Sequence, residues 1–158
     1  MIDEPTVRDG RPGDVEAMRW ARSEEQRDEW RRHLERAQTD EADFLVIELG
    51  DAIVGKAVLD WAHNADGTPW LWLGSVDPDF RSRGLGALGL AEAERRARAR
   101  GHTRIEMCVD DDNPRARDLY LRTGYEVVGP YLDEHDETLP DGTTLRVATP
   151  GARLRKLL

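Results

Sequence analysis

The chain has 158 residues and a formal net charge of -9 at pH 7, with 32 acidic and 23 basic side chains. A chain of this length usually folds as one unit, so we expect a single domain over residues 1–158. The acidic charge and the lack of a long Lys/Arg run exclude the basic surface with which proteins bind DNA or RNA. An acidic field attracts cationic molecules, although negative charge more often serves solubility.

Cysteine content and hydropathy bear on the compartment. Cys108 is the single cysteine, so an intramolecular disulfide is excluded, and no Cys/His cluster has the spacing of a metal site. The first ten residues lack an apolar segment, and no stretch approaches the ~20 apolar residues of a membrane span. These features predict a cytoplasmic protein that holds no metal ion and does not enter a membrane.

The N-terminal part of the chain predicts one short strand and a pair of helices. Residues 6–8 have strand character. A helix is expected to begin near Asp14, whose carboxylate can accept hydrogen bonds from the free amides of a first helical turn. A second helix is expected over residues 23–38, because apolar side chains recur there at helical spacing on a charged segment. The apolar stripe consists of Trp30, Leu34 and Ala37.

The middle of the chain predicts strands on either side of a long helix. Residues 44–49 and 53–61 are apolar runs separated by a Gly-Asp-Ala turn, a pattern typical of a β-hairpin. The apolar and small residues 70–76 predict a central strand that is buried on both faces. Residues 84–100 predict an amphipathic helix with an Arg/Glu-rich outer face. The alternating pattern over residues 105–109 predicts a further strand.

The C-terminal part predicts one helix and up to three strands. Asn113 and Pro114 indicate a helix start, with Asn as the N-cap and Pro at the first helical position, and Gly124 indicates its end. Residues 125–129 have strand character. Two further segments of strand character, residues 143–148 and 152–157, are separated by Pro150 and Gly151, and the sequence leaves open which of them pairs with the preceding strand.

The segment between the central strand and the long helix is typical of an anion-binding site. A helix N-terminus presents unpaired backbone amides and the positive end of the helix dipole, and glycines let a ligand approach the backbone closely. Arg81 and Arg83 add positive charge at the same place. The predicted anion site consists of Arg81, Ser82, Arg83, Gly84, Leu85, Gly86 and Ala87.

Two other interpretations of this segment stay open. Gly84, Gly86 and Gly89 also match the dinucleotide fingerprint GxGxxG, and acidic residues follow at 110–112. In the dinucleotide fold, however, the glycines come immediately after the strand, whereas here several residues intervene after Val76. Too little chain also remains to complete a parallel sheet. The second alternative is a glycine-rich helix start that binds no ligand.

Two motifs in the chain resemble those of the GNAT acyltransferase superfamily. The first, Arg/Gln-x-x-Gly-x-Gly/Ala, is present over residues 81–86 after a strand that ends at Val76. The motifs have the usual separation of the family, and the element order over residues 6–128 agrees with it. The second motif consists of Asn113, Ala116, the pair Leu119-Tyr120 and the pair Gly124-Tyr125.

The resemblance implies both a fold and an activity. The fold is a mixed α/β (α+β) fold, in which a mostly antiparallel sheet flanked by helices splays between its fourth and fifth strands and leaves a cleft for the pantetheine arm. The activity is transfer of an acetyl group from the cosubstrate acetyl-CoA to a primary amine of a small molecule or peptide, and a cationic acceptor would suit the acidic chain. A homodimer stays open, as does a degenerate domain that binds CoA only as a sensor.

The resemblance also implies roles for individual residues. The backbone groups of Ser75 and Val76 would bind the pantetheine amides, and residues 81–87 would wrap the pyrophosphate. Asn113 would contact the cofactor arm, with a plain helix cap as the alternative. Tyr120 would be the general acid that protonates the departing thiolate, with packing against its helix neighbours as the alternative.

A general base is harder to find in the sequence. Certain family members carry an acid or a histidine on the central strand, whereas residues 70–76 contain no ionisable side chain. The base is therefore elsewhere or is water. Cys108 could carry an acyl group, with packing as the alternative. The candidate bases, each of which is otherwise expected to be an ordinary surface residue, are Asp60, His63, Glu106 and His135.

Overall fold

The computed structural model describes residues 3–158, apart from the side chain of Leu73. These residues form two compact units, the first comprising residues 3–105 with Leu158 and the second residues 106–157. All five tryptophans lie in the first unit and all three tyrosines in the second. Within residues 3–158, no helix has the length and apolar character needed to cross a membrane.

The first unit contains four antiparallel strands in the order β1-β2-β3-β4 and two helices. Successive side chains of a strand point to opposite faces of a sheet, so each face can bury a separate apolar cluster. Helix α1 packs on one face and helix α2 on the other, and their clusters contain Val46 and Ile47 respectively. The elements are β1 (Thr6–Asp9), α1 (Glu24–Gln38), β2 (Ala42–Leu49), β3 (Ala52–Asp60), β4 (Trp70–Val76) and α2 (Leu85–Ala99).

Helix α1 confirms the predicted apolar stripe. Ser23 is its N-cap, and the Ser23 hydroxyl accepts a hydrogen bond from the backbone amide of Gln26 at 3.0 Å. This bond satisfies one of the amides that a helix start leaves unpaired. Trp30 and Leu34 are buried against the sheet, and Ala37 packs at the edge of the same cluster.

The prediction of a helix that begins near Asp14 is wrong. Residues Val15–Ala17 form only one 3-10 turn, and the Asp14 side chain makes no capping bond to it. The Asp14 carboxylate instead accepts hydrogen bonds from the backbone amide of Arg11, at 2.6 Å, and from the guanidinium of Arg8, at 2.8 Å. An arginine on β1 therefore competes successfully for the carboxylate that the sequence pattern assigned to a helix cap.

Strand β4 contains a bulge in its second half. Val58 of β3 lies opposite Trp72, and Lys56 lies opposite Ser75. Residues 73 and 74 therefore share a single partner on β3, which places Trp72 and Ser75 on the same face of the sheet. The expected burial on both faces holds for Trp70 and Leu71, but Ser75 is only half-buried.

The second unit contains the strand order β5-β7-β6 and one helix. Strand β5 (Arg104–Asp110) begins at the end of the first unit, and helix α3 (Pro114–Arg122) follows it. Strands β6 (Glu126–Thr138) and β7 (Thr144–Leu157) form a long antiparallel hairpin. Glycine is required at position 151, because a Cβ atom there would collide with the backbone carbonyl of Val109.

Two expectations about the C-terminal strands are wrong. The strand expected over residues 125–129 extends to Thr138, and it includes the acidic residues 133–137. Pro150 and Gly151 do not divide two strands, because β7 runs through both and Pro150 pairs with Leu132. Both segments of β7 therefore pair with β6, which answers the pairing question that the sequence left open.

Candidate functional site

The predicted anion site is a tight turn followed by an exposed helix start. A 3-10 turn (Pro78–Phe80) follows β4, and α2 begins at Leu85. Ser82 and Gly84 have positive φ angles of 64° and 76°. Gly84 occupies the N-cap position, and a Cβ atom added to it would meet nothing within 4 Å. The space beside the Gly84 backbone is therefore open to a ligand.

The charge of this turn suits an anion. The four residues 81–84 are exposed, Leu85 is buried, and Gly86 and Ala87 are half-buried. The amide of Leu88 donates to the Gly84 carbonyl, which is the first bond of the helix. The amides of residues 85–87 therefore precede the hydrogen-bonded helix and are available to a ligand, together with the guanidinium groups of Arg81 and Arg83. This set of donors fits a diphosphate.

The glycine that needs a left-handed backbone is Gly84. Gly86 lies in the first turn of α2 and has helical backbone geometry. Gly86 therefore needs no angle reserved for glycine, and its predicted contact with a ligand stays a prediction.

Ser75 and Val76 lie at the end of β4, directly before this turn. The Ser75 hydroxyl accepts a hydrogen bond from the indole N–H of Trp20 at 3.1 Å. Val76 packs beside the apolar cluster under α2. The end of the central strand is thus fixed by side-chain contacts on both of its faces.

Two of the candidate bases are buried in ion pairs. The Asp60 carboxylate accepts two bonds from the Arg36 guanidinium, both at 2.9 Å, and one from the Trp72 indole at 3.1 Å. Glu106 accepts bonds from Arg153 at 2.6 Å and from Arg155 at 2.8 Å. Asp60 is 3% exposed and Glu106 is 2% exposed, so the expectation that they are ordinary surface residues is wrong.

These ion pairs make both carboxylates poor proton acceptors. Burial alone would raise the pKa of Asp60 and of Glu106, but the hydrogen-bonded arginines outweigh burial and lower both pKa values below the ordinary range. A base with a lowered pKa and occupied lone pairs removes protons inefficiently. The other two candidates, His63 and His135, are exposed or half-exposed; His63 stacks on Trp70 at 4.4 Å between ring centroids.

Tyr120 lies on α3 in the second unit, with its ring edge-on to that of Tyr125 at 6.2 Å between centroids. Burial raises the pKa of Tyr120 above its ordinary value, and Cys108 adds to the effect. The hydroxyl therefore keeps its proton at neutral pH and is a donor. Asn113 caps α3 by accepting a bond from the Ala116 amide at 3.2 Å, as the cap interpretation predicts.

Cys108 is half-buried on β5. Burial raises the pKa of its thiol to about 12, and the nearby carboxylates of Asp133 and Asp110 act in the same direction. The nucleophilic form of cysteine is the thiolate, which is scarce at such a pKa. The structure therefore favours packing over an acyl carrier.

Sequence reasoning missed Lys56, a lysine on β3 that is only 1% exposed. Its ammonium nitrogen lies 4.3 Å from the centroid of the Trp30 ring. Burial lowers the pKa of Lys56 to about 7, although the charge of Glu29 opposes this shift. A single lysine in an apolar strand carries no local signal of burial, because the ring that covers it comes from a distant helix.

A family model described as the Acetyltransferase (GNAT) family matches residues 14–125. The chain belongs to the GNAT family. The match includes both motifs of the GNAT chain, from Arg81 to Ala87 and from Asn113 to Tyr125. The dinucleotide interpretation is excluded by the structure as well, because β3 and β4 pair antiparallel, whereas the dinucleotide fold has a parallel sheet.

A curated GNAT relative matches part of the chain. It is an uncharacterized N-acetyltransferase of Methanocaldococcus jannaschii, 34% identical over 91 residues, and the alignment covers 55% of this chain and 40% of that relative. The chain thus spans less than half the length of the curated relative it matches.

Solved GNAT structures match nearly the whole chain. A ribosomal-protein-alanine N-acetyltransferase from Brucella melitensis has a TM-score of 0.72 at 19% identity, covering 97% of this chain and 99% of that chain. A PaiA N-acetyltransferase from Thermoplasma acidophilum, in complex with coenzyme A, has a TM-score of 0.70 at 18% identity, with coverage of 98% and 99%. A GNAT family acetyltransferase from Elizabethkingia anophelis with acetyl-CoA bound has a TM-score of 0.66 at 15% identity, with coverage of 98% and 98%. The GNAT fold class, a mixed α/β fold with a mostly antiparallel sheet, is therefore confirmed.

Proposed function

We propose that this GNAT chain is an N-acetyltransferase that moves an acetyl group from acetyl-CoA to a primary amine of a small molecule or peptide. The observation that carries the proposal is the open helix start at residues 81–87. Two exposed arginines and the uncovered backbone of Gly84 come directly before the unpaired amides of residues 85–87. Such an arrangement matches the diphosphate of CoA. Two of the similar solved structures contain CoA or acetyl-CoA, which supports the same ligand here.

The binding residues follow from the family resemblance. Residues 81–87 hold the pyrophosphate, and the backbone groups of Ser75 and Val76 bind the pantetheine amides in the manner of an added strand. Asn113 contributes to the cofactor arm in addition to its observed role as the cap of α3.

In the proposed reaction, the acceptor amine attacks the thioester carbonyl directly. A carbon–nitrogen bond forms, the carbon–sulfur bond breaks, and the departing CoA thiolate takes the proton of the Tyr120 hydroxyl. The attacking nitrogen loses one proton to solvent, and solvent returns one proton to Tyr120. Burial raises the pKa of Tyr120, so the hydroxyl carries its proton before transfer but is a weaker acid than an exposed tyrosine. The acylated-cysteine route is not favoured, since the Cys108 pKa is raised to about 12.

The acceptor ammonium must lose a proton before it can attack. Asp60 and Glu106 are held by arginines and have lowered pKa values, so we assign this proton to solvent water. The rate should then rise with pH as the free amine of the acceptor itself accumulates, and it should level off near the pKa of that amine.

The test is release of the CoA thiol from acetyl-CoA in the presence of polyamines, amino acids, aminoglycosides and peptide N-termini. An amine-dependent rate with stoichiometric acetylated product is the expected result. CoA binding without turnover on any amine would instead support the sensor alternative. Absence of CoA binding would overturn the proposal altogether.

A further inference from the structure

Two carboxylates lie just before residues 81–87, which we call the phosphate turn. Asp77 and Asp79 precede Arg81 by four and two residues. A CoA diphosphate is anionic, and a carboxylate close to its binding site repels it. A turn that binds this group therefore needs a cation that offsets the two carboxylates.

Arg19 supplies that cation from a distant part of the first unit. Its Nε donates to Asp77 Oδ2 at 2.8 Å, and its Nη2 donates to Asp79 Oδ2 at 3.1 Å. The Asp77 side chain is only 4% exposed, whereas that of Asp79 is 76% exposed. Asp77 also caps the following 3-10 turn by accepting the Asp79 amide at 3.0 Å. Arg19 thus compensates a buried carboxylate that fixes the shape of the turn.

The same guanidinium is connected to an arginine of the anion site through Phe80. Arg19 lies 5.8 Å from the centroid of the Phe80 ring, and Arg83 lies 5.1 Å from it. Both distances are within the range of a cation–π interaction. The next residue, Trp20, donates to the Ser75 hydroxyl at the end of β4. The pair Arg19-Trp20 therefore holds both the strand end and the turn that follows it.

We propose that Arg19 is a positioning residue for the diphosphate of acetyl-CoA. It neutralises Asp77 and Asp79 and fixes the Pro78–Phe80 turn, so that Arg83 and the start of α2 face the anion. This role rests on the proposed function, because it requires that residues 81–87 bind CoA.

The first experiment measures the dissociation constant for CoA by calorimetry at two salt concentrations. Arg19→Gln should raise the Kd by roughly five- to tenfold at low salt and by less at high salt, since two charges are left uncompensated near the ligand. Turnover at saturating acetyl-CoA should stay near native. Arg31→Gln is the control, because Arg31 also pairs with carboxylates, those of Glu16, Glu24 and Asp28, but none of these lies in the turn.

The second experiment separates charge compensation from simple loss of structure. Asp79→Asn should leave the fold intact because the side chain is exposed. It should restore part of the CoA affinity that Arg19→Gln loses, because it removes one of the two uncompensated charges. In the native background Asp79→Asn should tighten CoA binding about two- to threefold. Arg19→Lys should keep part of the effect, because it retains the charge but not the two-pronged geometry.

The outcomes distinguish failure of the Arg19 role from failure of the proposed function. If the native protein binds CoA and Arg19→Gln binds it equally well, Arg19 has no positioning role and the proposed function stands. A loss of affinity that is independent of salt and is not rescued by Asp79→Asn would also overturn the role. If the native protein does not bind CoA, the proposed function fails and the role of Arg19 fails with it.

Discussion

Gly84 and Gly101 flank helix α2 with left-handed backbone angles, φ being 76° and 87°, and a Cβ atom at either position would meet nothing within 4 Å. The two glycines are therefore equivalent in strain and in space. They differ only in that Gly84 stands at the N-terminal end of the helix, where an anion would bind, and Gly101 follows its C-terminal end.

This equivalence gives a controlled test of CoA binding. Gly84→Ala and Gly101→Ala should each lower the free energy of unfolding by about 1–2 kcal/mol, because alanine resists the left-handed backbone. Gly84→Ala should in addition weaken CoA binding at least about tenfold, since the new methyl group occupies the open approach to the backbone. Calorimetry with CoA and denaturant unfolding check the two effects. Equal CoA affinities in both variants would contradict the anion site.

Replacement of Tyr120 by Phe tests the proposed general acid. The ring and its contact with Tyr125 are kept, so stability and the affinity for CoA should change little. The turnover number should fall by about 10²–10⁴-fold with little change in the KM for acetyl-CoA, since the departing thiolate loses its proton donor. Single-turnover rates should be measured, so that slow product release does not conceal the effect.

Tyr131→Phe is the matched control for this variant. Tyr131 is a second tyrosine of the same unit whose pKa is raised by burial, but the proposed mechanism gives it no role. Its replacement should leave the single-turnover rate unchanged. A native rate in a folded Tyr120→Phe variant would show that the mechanism is wrong.

The buried amine of Lys56 should make stability depend on pH. In the unfolded chain the amine titrates near its ordinary pKa of 10.5, whereas in the folded unit burial lowers its pKa to about 7. Between these values the unfolded state binds more protons, so the free energy of unfolding gains a contribution that rises with pH. Below pH 7 both states are protonated, and the full cost of burying the charge remains.

Lys56→Met removes this linkage while keeping a side chain of similar length over the Trp30 ring. From pH 7 to pH 10, the unfolding free energy of the native protein should rise by up to about 4 kcal/mol relative to that of the variant. Urea unfolding at several pH values provides the measurement. A difference that does not vary with pH would mean that Lys56 titrates normally in the folded protein.

Substitutions of the carboxylates on strand β6 can test whether the acceptor is cationic. Glu134 and Asp136 face Arg146, which pairs with both at 3.5 and 3.2 Å. Asp133, His135 and Glu137 alternate with these residues on the second face of β6. After burial, the charge of Asp133 raises the pKa of Asp110, whereas His135 bonds Glu137 at 3.1 Å. The carboxylates of Asp133 and Asp110 therefore repel each other and would favour a cation.

Neutralising the second face should weaken binding of a cationic acceptor. Asp133→Asn combined with Glu137→Gln should raise the acceptor KM, more at low than at high ionic strength. Glu134→Gln with Asp136→Asn removes the same number of charges and should change the KM less, because Arg146 already compensates those carboxylates. The same KM for both double variants would contradict a role of this face.

The elements that the sequence predicts correctly are those whose signals are local. Asn113 caps α3 because its side chain bonds an amide three residues later, and the helix over residues 23–38 follows from apolar side chains at helical spacing. Asp14 carries the same kind of signal, but Arg8 on the neighbouring strand takes its carboxylate. Local patterns cannot show such competition.

The features that the sequence does not predict depend on partners far along the chain. Pro150 remains within β7 because its place in the ladder is set by pairing with Leu132 on the other strand of the hairpin. Lys56, Asp60 and Glu106 are buried because Trp30, Arg36 and Arg153 cover or neutralise them. A charged residue predicts exposure until its distant partner is known, and for that reason the expectation that Asp60 and Glu106 are ordinary surface residues is wrong.

The separation of tryptophans and tyrosines between the two units provides an intrinsic optical label. Trp20, Trp30, Trp61, Trp70 and Trp72 all lie within residues 3–105, whereas Tyr120, Tyr125 and Tyr131 all lie within residues 106–157. Excitation at the red edge of the indole band therefore reports the melting of the first unit alone, and the tyrosine component of the second-derivative absorbance spectrum reports that of the second. Coincident transitions by the two probes would identify one cooperative domain, and separate transitions would identify two.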